Sequence, residues 1–127
     1  MDRPLRYVLL EHTPPRAFGP DQEPFEKHWD LMLEQPDKPG LATWRLTEDP
    51  LHAEGAIKAV RLPDHRNDYL DIEEAELSGN RGVVVRRDVG QYTLISKKNG
   101  DFALRLAGDL LQGRYVIRNE HFIAEME

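Results

Sequence analysis

The chain has 127 residues, no cysteine and a formal net charge of −6 at pH 7. This length fits one domain, residues 1–127, and the lack of cysteine excludes disulfides and thiolate metal sites. The negative charge argues against a protein that coats nucleic acid through phosphate contacts, because such proteins are usually basic. No apolar run is long enough for a membrane span and no signal peptide is evident, so we expect a cytoplasmic protein without membrane contacts.

The first half of the chain has the pattern of short strands separated by turn-forming residues. A segment with four prolines, "TPPRAFGPDQEP", is predicted to form a loop. The strand after it alternates strictly between polar and apolar residues. The predicted strands cover residues 5–12, 27–34, 41–46 and 56–62, the last ending at Pro63.

The second half continues this pattern with clearer turn signals. The segment 69–77 is compatible with a strand or a short helix, and we favour a strand. Gly90 is predicted to turn the chain within a hairpin, and Asn99-Gly100 suits a type I′ turn. Further strands are predicted at 102–108 and 113–119. Roughly eight short strands indicate an all-β, mainly antiparallel fold. A sandwich or a small closed β-barrel would fit, and we favour the barrel because it leaves no unpaired edge.

The second predicted strand, "HWDLMLE", has an unusual polar face. Its residues at even positions between 28 and 34 share one side, and the apolar residues at odd positions share the other. Such alternation is typical of any half-exposed antiparallel strand, whose polar side faces water. Alternatively, His28 and Asp30 converge with His12 of the preceding strand on one cation. Two imidazoles and one carboxylate suit Mn²⁺, Zn²⁺ or Fe²⁺ better than Ca²⁺.

The remaining histidines give weaker signals. His65 lies in a predicted loop with Tyr69 four residues further on, so the two either belong to a surface turn or both reach a bound anion. His52 and His121 have no pattern around them, and we expect both to be exposed and neutral. The residues alone therefore leave open whether the chain has a site at all.

The ordered segments resemble the 3′-phosphoesterase module of the bacterial DNA ligase D family. "YVLLEH" and "HWDLMLE" are similar to its first two elements, "LATWRL" to its tryptophan strand and "DHRNDYLDIE" to its His–Tyr segment. "GVVVRRDVGQY" and "FALRLAGDLLQGRYVIRN" are similar to its later hairpin and closing strands, so the resemblance runs from about Leu5 to Asn119. It implies a small β-barrel with a polar interior pocket. The polar face of "HWDLMLE" would line that pocket, and Trp29, Leu31 and Leu33 would pack outward.

The resemblance also implies a function and a set of site residues. The function is Mn²⁺-dependent (or Zn²⁺-dependent) removal of a 3′-ribonucleotide or 3′-phosphate from nucleic-acid ends in DNA end repair. A nucleic-acid 3′ end would be the partner, with repair proteins as further candidates. The implied residues are metal ligands His12, His28 and Asp30, the ligand-supporting Glu34, the catalytic and phosphate-binding His65 and Tyr69, and the phosphate-binding Arg61 and Lys58.

One departure from the family pattern leaves two possible functions open. Met32 stands where the family has an arginine, and a thioether does not bind phosphate as a guanidinium does. An active, stand-alone member would need another cation, and Arg105, Arg114 and Arg118 on the predicted closing strands are candidates. The alternative is a catalytically inactive barrel that binds a nucleic-acid end, a small anion or a protein.

Overall fold

A computed structural model describes residues 3–125 of the chain. Within this range it contains nine strands and one 3₁₀ helix, Asn67–Asp71, which lies between the fourth and fifth strands. No helix in residues 3–125 has the length and hydrophobicity needed to cross a membrane. The strands are β1 (Leu5–Thr13), β2 (His28–Glu34), β3 (Leu41–Leu46), β4 (Ile57–His65), β5 (Glu74–Glu76), β6 (Val83–Lys98), β7 (Asp101–Gly108), β8 (Gln112–Arg118) and β9 (His121–Glu125).

Eight of these strands form a closed ring of antiparallel pairs. Their order is β1-β2-β3-β4-β9-β8-β7-β6, and β6 pairs with β1 to complete the ring. The weakest junction is between β4 and β9, where the structure pairs Ile57 with Phe122 and Lys58 with His121. The short β5 lies outside the ring and pairs with the start of β6. This arrangement confirms the predicted all-β, mainly antiparallel fold.

The interior of the ring is mostly apolar. One large cluster of buried side chains contains residues from all eight ring strands. Side chains from every strand of a closed ring can meet only inside the ring, so this cluster is its interior. Leu31 and Leu33 of β2 belong to this cluster, and Trp29 packs against it. The predicted polar interior pocket is therefore wrong, and so is the outward packing of these three residues. Large side chains fill the space, including Tyr7, Leu9, Trp44, Leu46, Tyr92, Phe102, Leu104, Leu106, Ile117 and Phe122.

A second, smaller apolar cluster covers the outer face of β1, β2 and β3. Met32 belongs to it and is only 1% exposed. Tyr69 and Leu70 of the 3₁₀ helix pack in the same cluster, so the segment after β4 acts as a cover for this face. The other members are Val8, Leu10, Leu41 and Val84. The polar face of β2 is thus buried on the outside of the ring instead of facing its interior.

Two predicted breaks in strands are wrong. β4 continues through Pro63 to His65, because its pairing with β3 is irregular there and does not require the N–H that proline lacks. Gly90 lies inside the continuous β6, opposite both Tyr7 of β1 and Gly108 of β7. A Cβ atom at Gly90 would lie 2.4 Å from the Ala107 carbonyl oxygen, so the glycine permits close strand contact and makes no turn.

Two turns in the second half of the chain are formed by residues with positive φ angles. Asn99 and Gly100 have φ of 52° and 83°, which confirms the predicted type I′ hairpin turn between β6 and β7. Asn119 and Glu120 have φ of 51° and 58° and connect β8 to the unpredicted β9. This second turn contains no glycine, so it lacks the residue that usually marks a hairpin turn in a sequence. The segment 69–77 is part 3₁₀ helix and part strand, which matches both possibilities in part.

Candidate functional site

Three side chains of metal-binding type meet where β1 and β2 pair. His12 lies opposite His28 and Leu10 lies opposite Asp30, so alternation places His12, His28 and Asp30 on the same outer face. The Nδ1 atom of His12 is 3.2 Å from Nε2 of His28 and 3.8 Å from Oδ2 of Asp30. The His28 Nε2 atom is 3.4 Å from the same oxygen. Ligands about 2.0–2.2 Å from one ion lie about 3.0–3.6 Å apart, so two of the three separations match a divalent transition metal, and the His12–Asp30 separation is slightly longer.

The outer nitrogen of each imidazole is held by a backbone carbonyl. His12 Nε2 lies 2.7 Å from the Arg81 carbonyl oxygen, and His28 Nδ1 lies 2.9 Å from the Glu26 carbonyl oxygen. Because a carbonyl only accepts, each outer nitrogen carries the N–H group. With both rings neutral, their inner nitrogens then present lone pairs to the same point. Metal-binding histidines are commonly oriented in this way by a hydrogen bond from the second nitrogen.

Asp30 provides a buried negative charge beside the two rings. Its exposed fraction is 4%. Burial raises the pKa of Asp30, but a proton on the inner nitrogen of His12 or His28 lowers it, through hydrogen bonding and charge, to about 2. Its Oδ1 atom is buried and has no hydrogen-bond partner within residues 3–125. A proton on one imidazole or a divalent cation between neutral rings would balance this charge.

An open cleft of about 620 Å³ lies beside this trio. Two lining residues connect the cleft to the trio. Arg45 is opposite Asp30 in the β2–β3 pairing, and the backbone carbonyl of Arg81 accepts from His12. The one carboxylate among the residues that line the cleft, Asp64, already accepts hydrogen bonds from Gln35 and Arg61. The lining residues are Arg45, Leu62, Pro63, Asp64, His65, Arg66, Tyr69, Ser78 and Arg81. Three guanidinium groups and an imidazole make this cleft suitable for an anion.

The structure brings His65 and Tyr69 together in this cleft. Their ring centroids are 5.5 Å apart, because His65 ends β4 and the 3₁₀ helix returns Tyr69 towards it. His65 Nδ1 lies 3.0 Å from the Pro63 carbonyl oxygen, so this nitrogen carries the N–H group and Nε2 is left for other partners. Tyr69 is 8% exposed, and its ring is anchored in the outer apolar cluster.

Glu34 lies away from the metal-type trio. It is four residues beyond Asp30 on β2, which corresponds to about 13 Å along an extended strand. Its carboxylate accepts from Arg3 at 2.6 Å and from the Arg6 backbone N–H at 3.1 Å. Burial raises the pKa of Glu34, but the contacts with Arg3 and Arg6 outweigh this effect, so the pKa lies below its usual value. The predicted support of a metal ligand is therefore corrected: Glu34 fixes the segment that begins β1.

The predicted phosphate contacts Lys58 and Arg61 are also outside the cleft lining. Lys58 is exposed and lies seven residues before His65, about 23 Å along β4. The Arg61 guanidinium lies 4.6 Å from the Trp44 ring centroid and 3.2 Å from Asp64. Arg61 therefore faces a different surface, next to Trp44.

The arginines proposed to replace the missing cation lie elsewhere as well. Arg114 and Arg118 line a cleft near the β6–β7 turn, and Arg105 lines one near the start of β1. The arginine that the structure brings to the trio is Arg45, which the sequence reasoning missed. Counting the β2–β3 register across the turn would have found it, because Arg45 then falls opposite Asp30. His52 and His121 are exposed, as expected.

Comparison with protein families gives a match over most of the chain. The model of the DNA ligase D 3′-phosphoesterase domain family matches residues 22–119. The match covers most of the chain, and the protein therefore belongs to this family. A search of the curated proteins found no match. The matched span contains His28, Asp30, His65 and Tyr69, whereas His12 precedes it and joins the site through the pairing of β1 with β2.

Proposed function

We propose that this protein is a divalent-metal-dependent 3′-phosphoesterase that acts on nucleic-acid 3′ ends, with Mn²⁺ or Zn²⁺ as cofactor. The observation that carries the proposal is the facing pair of imidazole nitrogens beside an ionised, partly unsatisfied carboxylate. His12, His28 and Asp30 would hold the ion. Membership in the 3′-phosphoesterase family supplies the reaction class.

The cleft residues have distinct roles in this proposal. A bound divalent ion supplies positive charge at the phosphoryl oxygens and makes water more acidic. His65, oriented by the Pro63 carbonyl, presents Nε2 to the cleft, where it can exchange a proton with the leaving oxygen or stabilise charge on the phosphoryl group. The Tyr69 hydroxyl donates to a phosphate oxygen. The arginine-lined walls hold the negatively charged end of the strand.

The test is release of phosphate from an oligonucleotide with a 3′-phosphate, with and without added Mn²⁺. Activity should require the metal and should be abolished by His28→Ala. His65→Ala should lower turnover by about 10²-fold or more without weakening Mn²⁺ binding, because His65 does not belong to the ligand set. A 3′-terminal ribonucleotide should serve as a second substrate.

His121 offers a matched control for His65. Its Nδ1 atom lies 2.7 Å from the carbonyl oxygen two residues earlier, as in His65, but the ring is exposed on β9. His121→Ala should retain wild-type turnover. Equal turnover for His65→Ala and His121→Ala would remove His65 from the mechanism, and metal-independent turnover by wild type would contradict the proposal as a whole.

The second candidate is a binding module without turnover, and Met32 is the observation that favours it. The side chain is buried among apolar residues, so this position offers no charge to a phosphate. Under this alternative, the protein would bind Mn²⁺ and a 3′-phosphorylated end but release no phosphate. The same assay, combined with a binding measurement, separates the two functions.

A further inference from the structure

Arg45 is an uncommitted cation at the centre of the site. It lies on β3 directly opposite Asp30, so both side chains project from the same face, with Cβ atoms about 4.5–5.5 Å apart. Its Nε atom is buried and has no hydrogen-bond partner, and within residues 3–125 the guanidinium forms no ion pair. A buried N–H group without a partner costs free energy, so an acceptor that enters the adjoining space would stabilise Arg45.

The other arginines of the cleft already have partners. Arg81 donates to the Ser78 carbonyl oxygen at 2.7 Å and to its hydroxyl at 3.3 Å. Arg66 lies 3.5 Å from Asp68 and near the Tyr69 ring. A phosphate entering the cleft would have to compete with those contacts. At Arg45 it would instead supply an acceptor that the buried Nε lacks.

Asp30 and Arg45 face each other without satisfying each other. Asp30 Oδ1 and Arg45 Nε are both buried and without a partner in the described part of the chain, although they belong to directly paired residues. A cation near the carboxylate and an anion near the guanidinium would satisfy both groups at once. A divalent cation held by Asp30 and a phosphate held by Arg45 would provide this pair of charges.

We propose that Arg45 binds the terminal phosphate of the substrate and supplies the guanidinium that position 32 lacks. This inference rests on the proposed function and adds a residue to it. Arg45 reaches the site from β3, whereas Met32 is on β2, two residues beyond Asp30 and beneath the 3₁₀ helix. The planar guanidinium can bind two phosphate oxygens together, which a lysine ammonium cannot do in the same geometry.

The test compares Arg45→Met, Arg45→Lys and the matched control Arg114→Met. Arg114 is also a strand arginine, but it pairs with Glu125 at 2.8 Å and lines a different cleft. Binding is measured for two oligonucleotides in the presence of Mn²⁺, one ending in a non-cleavable 3′-methylenephosphonate and one in a 3′-hydroxyl. Mn²⁺ affinity and release of phosphate from a 3′-phosphate are measured on the same preparations.

Wild type and Arg114→Met should prefer the phosphonate end. Arg45→Met should lose this preference by about 10-fold or more, while its Mn²⁺ affinity stays unchanged. Arg45→Lys should recover part of the preference, since it retains the charge and loses the second contact. This variant also keeps the test valid if the uncharged side chain disturbs folding. Turnover should fall by about 10²-fold in Arg45→Met.

The binding readout separates the two proposals. If wild type releases no phosphate but prefers the phosphonate end, and Arg45→Met loses this preference, the enzyme function fails and the assignment of Arg45 stands. If Arg45→Met and Arg45→Lys both keep the wild-type preference, the assignment is overturned whatever the turnover. A wild type that does not distinguish the two ends also overturns it.

Discussion

His12 and His28 are 16 positions apart in the chain, yet their inner ring nitrogens face each other at 3.2 Å. The approach follows from the β1–β2 register, which pairs the two residues directly. Each ring is oriented by a carbonyl on its far side, so the geometry does not depend on flexible side-chain partners. Backbone pairing and backbone carbonyls therefore set the positions of both inner nitrogens.

The first prediction concerns metal binding. His28→Ala and His12→Ala should each weaken Mn²⁺ binding by at least about 10²-fold, because loss of a ligand exceeds the usual effect of losing a supporting contact. His52→Ala is the control, since the His52 side chain is 77% exposed and lies near Asp49 instead of the trio. Titration calorimetry and the electron paramagnetic resonance signal of Mn²⁺ provide independent measurements. Similar affinities for His28→Ala and His52→Ala would exclude the site.

The second prediction concerns Met32. Met32→Arg should lower the free energy of unfolding by about 2–4 kcal/mol, because it places a charge among Val8, Leu10 and their apolar neighbours. Met32→Leu should cost less than about 1.5 kcal/mol, since the volume and polarity are similar. With Arg45 already at the site, Met32→Arg should reduce turnover. Urea unfolding and the phosphate-release assay check both parts, and a stable, more active Met32→Arg would contradict the prediction.

The third prediction is a loss of stability at alkaline pH. Burial, followed by the 2.6 Å contact with Asp88, raises the pKa of Tyr7 far above its ordinary value, and burial raises that of Tyr92 to about 12. A group whose pKa is raised on folding stabilises the protein fully below its unfolded value, about 10 for tyrosine, and loses this effect as pH rises. Stability should therefore fall from about pH 10 towards 12.

Tyr7→Phe tests the cause of this fall. The variant should lose about 1.5–3 kcal/mol at neutral pH, because Asp88 loses its hydroxyl donor, and it should show a shallower decline above about pH 10. Asp88 would retain the backbone N–H groups of Leu110 and Leu111. Thermal unfolding between neutral and alkaline pH measures both effects. An unchanged slope in Tyr7→Phe would assign the pH dependence to other groups.

The fourth prediction concerns the close approach of β6 and β7. Gly90→Ala should destabilise the fold by at least about 2 kcal/mol, because its Cβ would overlap the backbone of Ala107 and Gly108. Gly19→Ala is the control, since the added atom would contact only the flexible Gln22 side chain, at 3.4 Å. Denaturant unfolding compares the two variants. Equal stabilities would contradict the strand geometry at Gly90.

The sequence predicted the kind of fold because alternation and turn residues are local signals. Alternation also fixed which residues of β2 share a face, and so grouped His28 with Asp30. Alternation did not determine whether that face lies inside or outside the ring. The answer depends on how the other strands close the ring and which side chains they turn towards its interior. That is why Leu31 and Leu33 were expected outside and lie inside.

The parts of the site that the sequence did not predict depend on contacts between distant residues. The carbonyl groups of Glu26 and Arg81 orient the two imidazoles, and any residue provides a carbonyl, so they leave no mark in the sequence. Arg45 was missed because its position opposite Asp30 depends on the exact β2–β3 register. Lys58 was expected at the cleft from the family resemblance alone, but an extended strand carries it away from His65.

The contact between His12 and His28 also closes the loop that joins β1 to β2. An ion held by both rings would act as a reversible cross-link at the ends of this loop, and would restrict the open forms of the chain as a covalent bridge does. Phe25 contacts both rings, with centroids at 4.9 Å and 5.5 Å, so the loop would be held at that point too. Metal concentration would then control how often this end of the ring opens, independently of any reaction there.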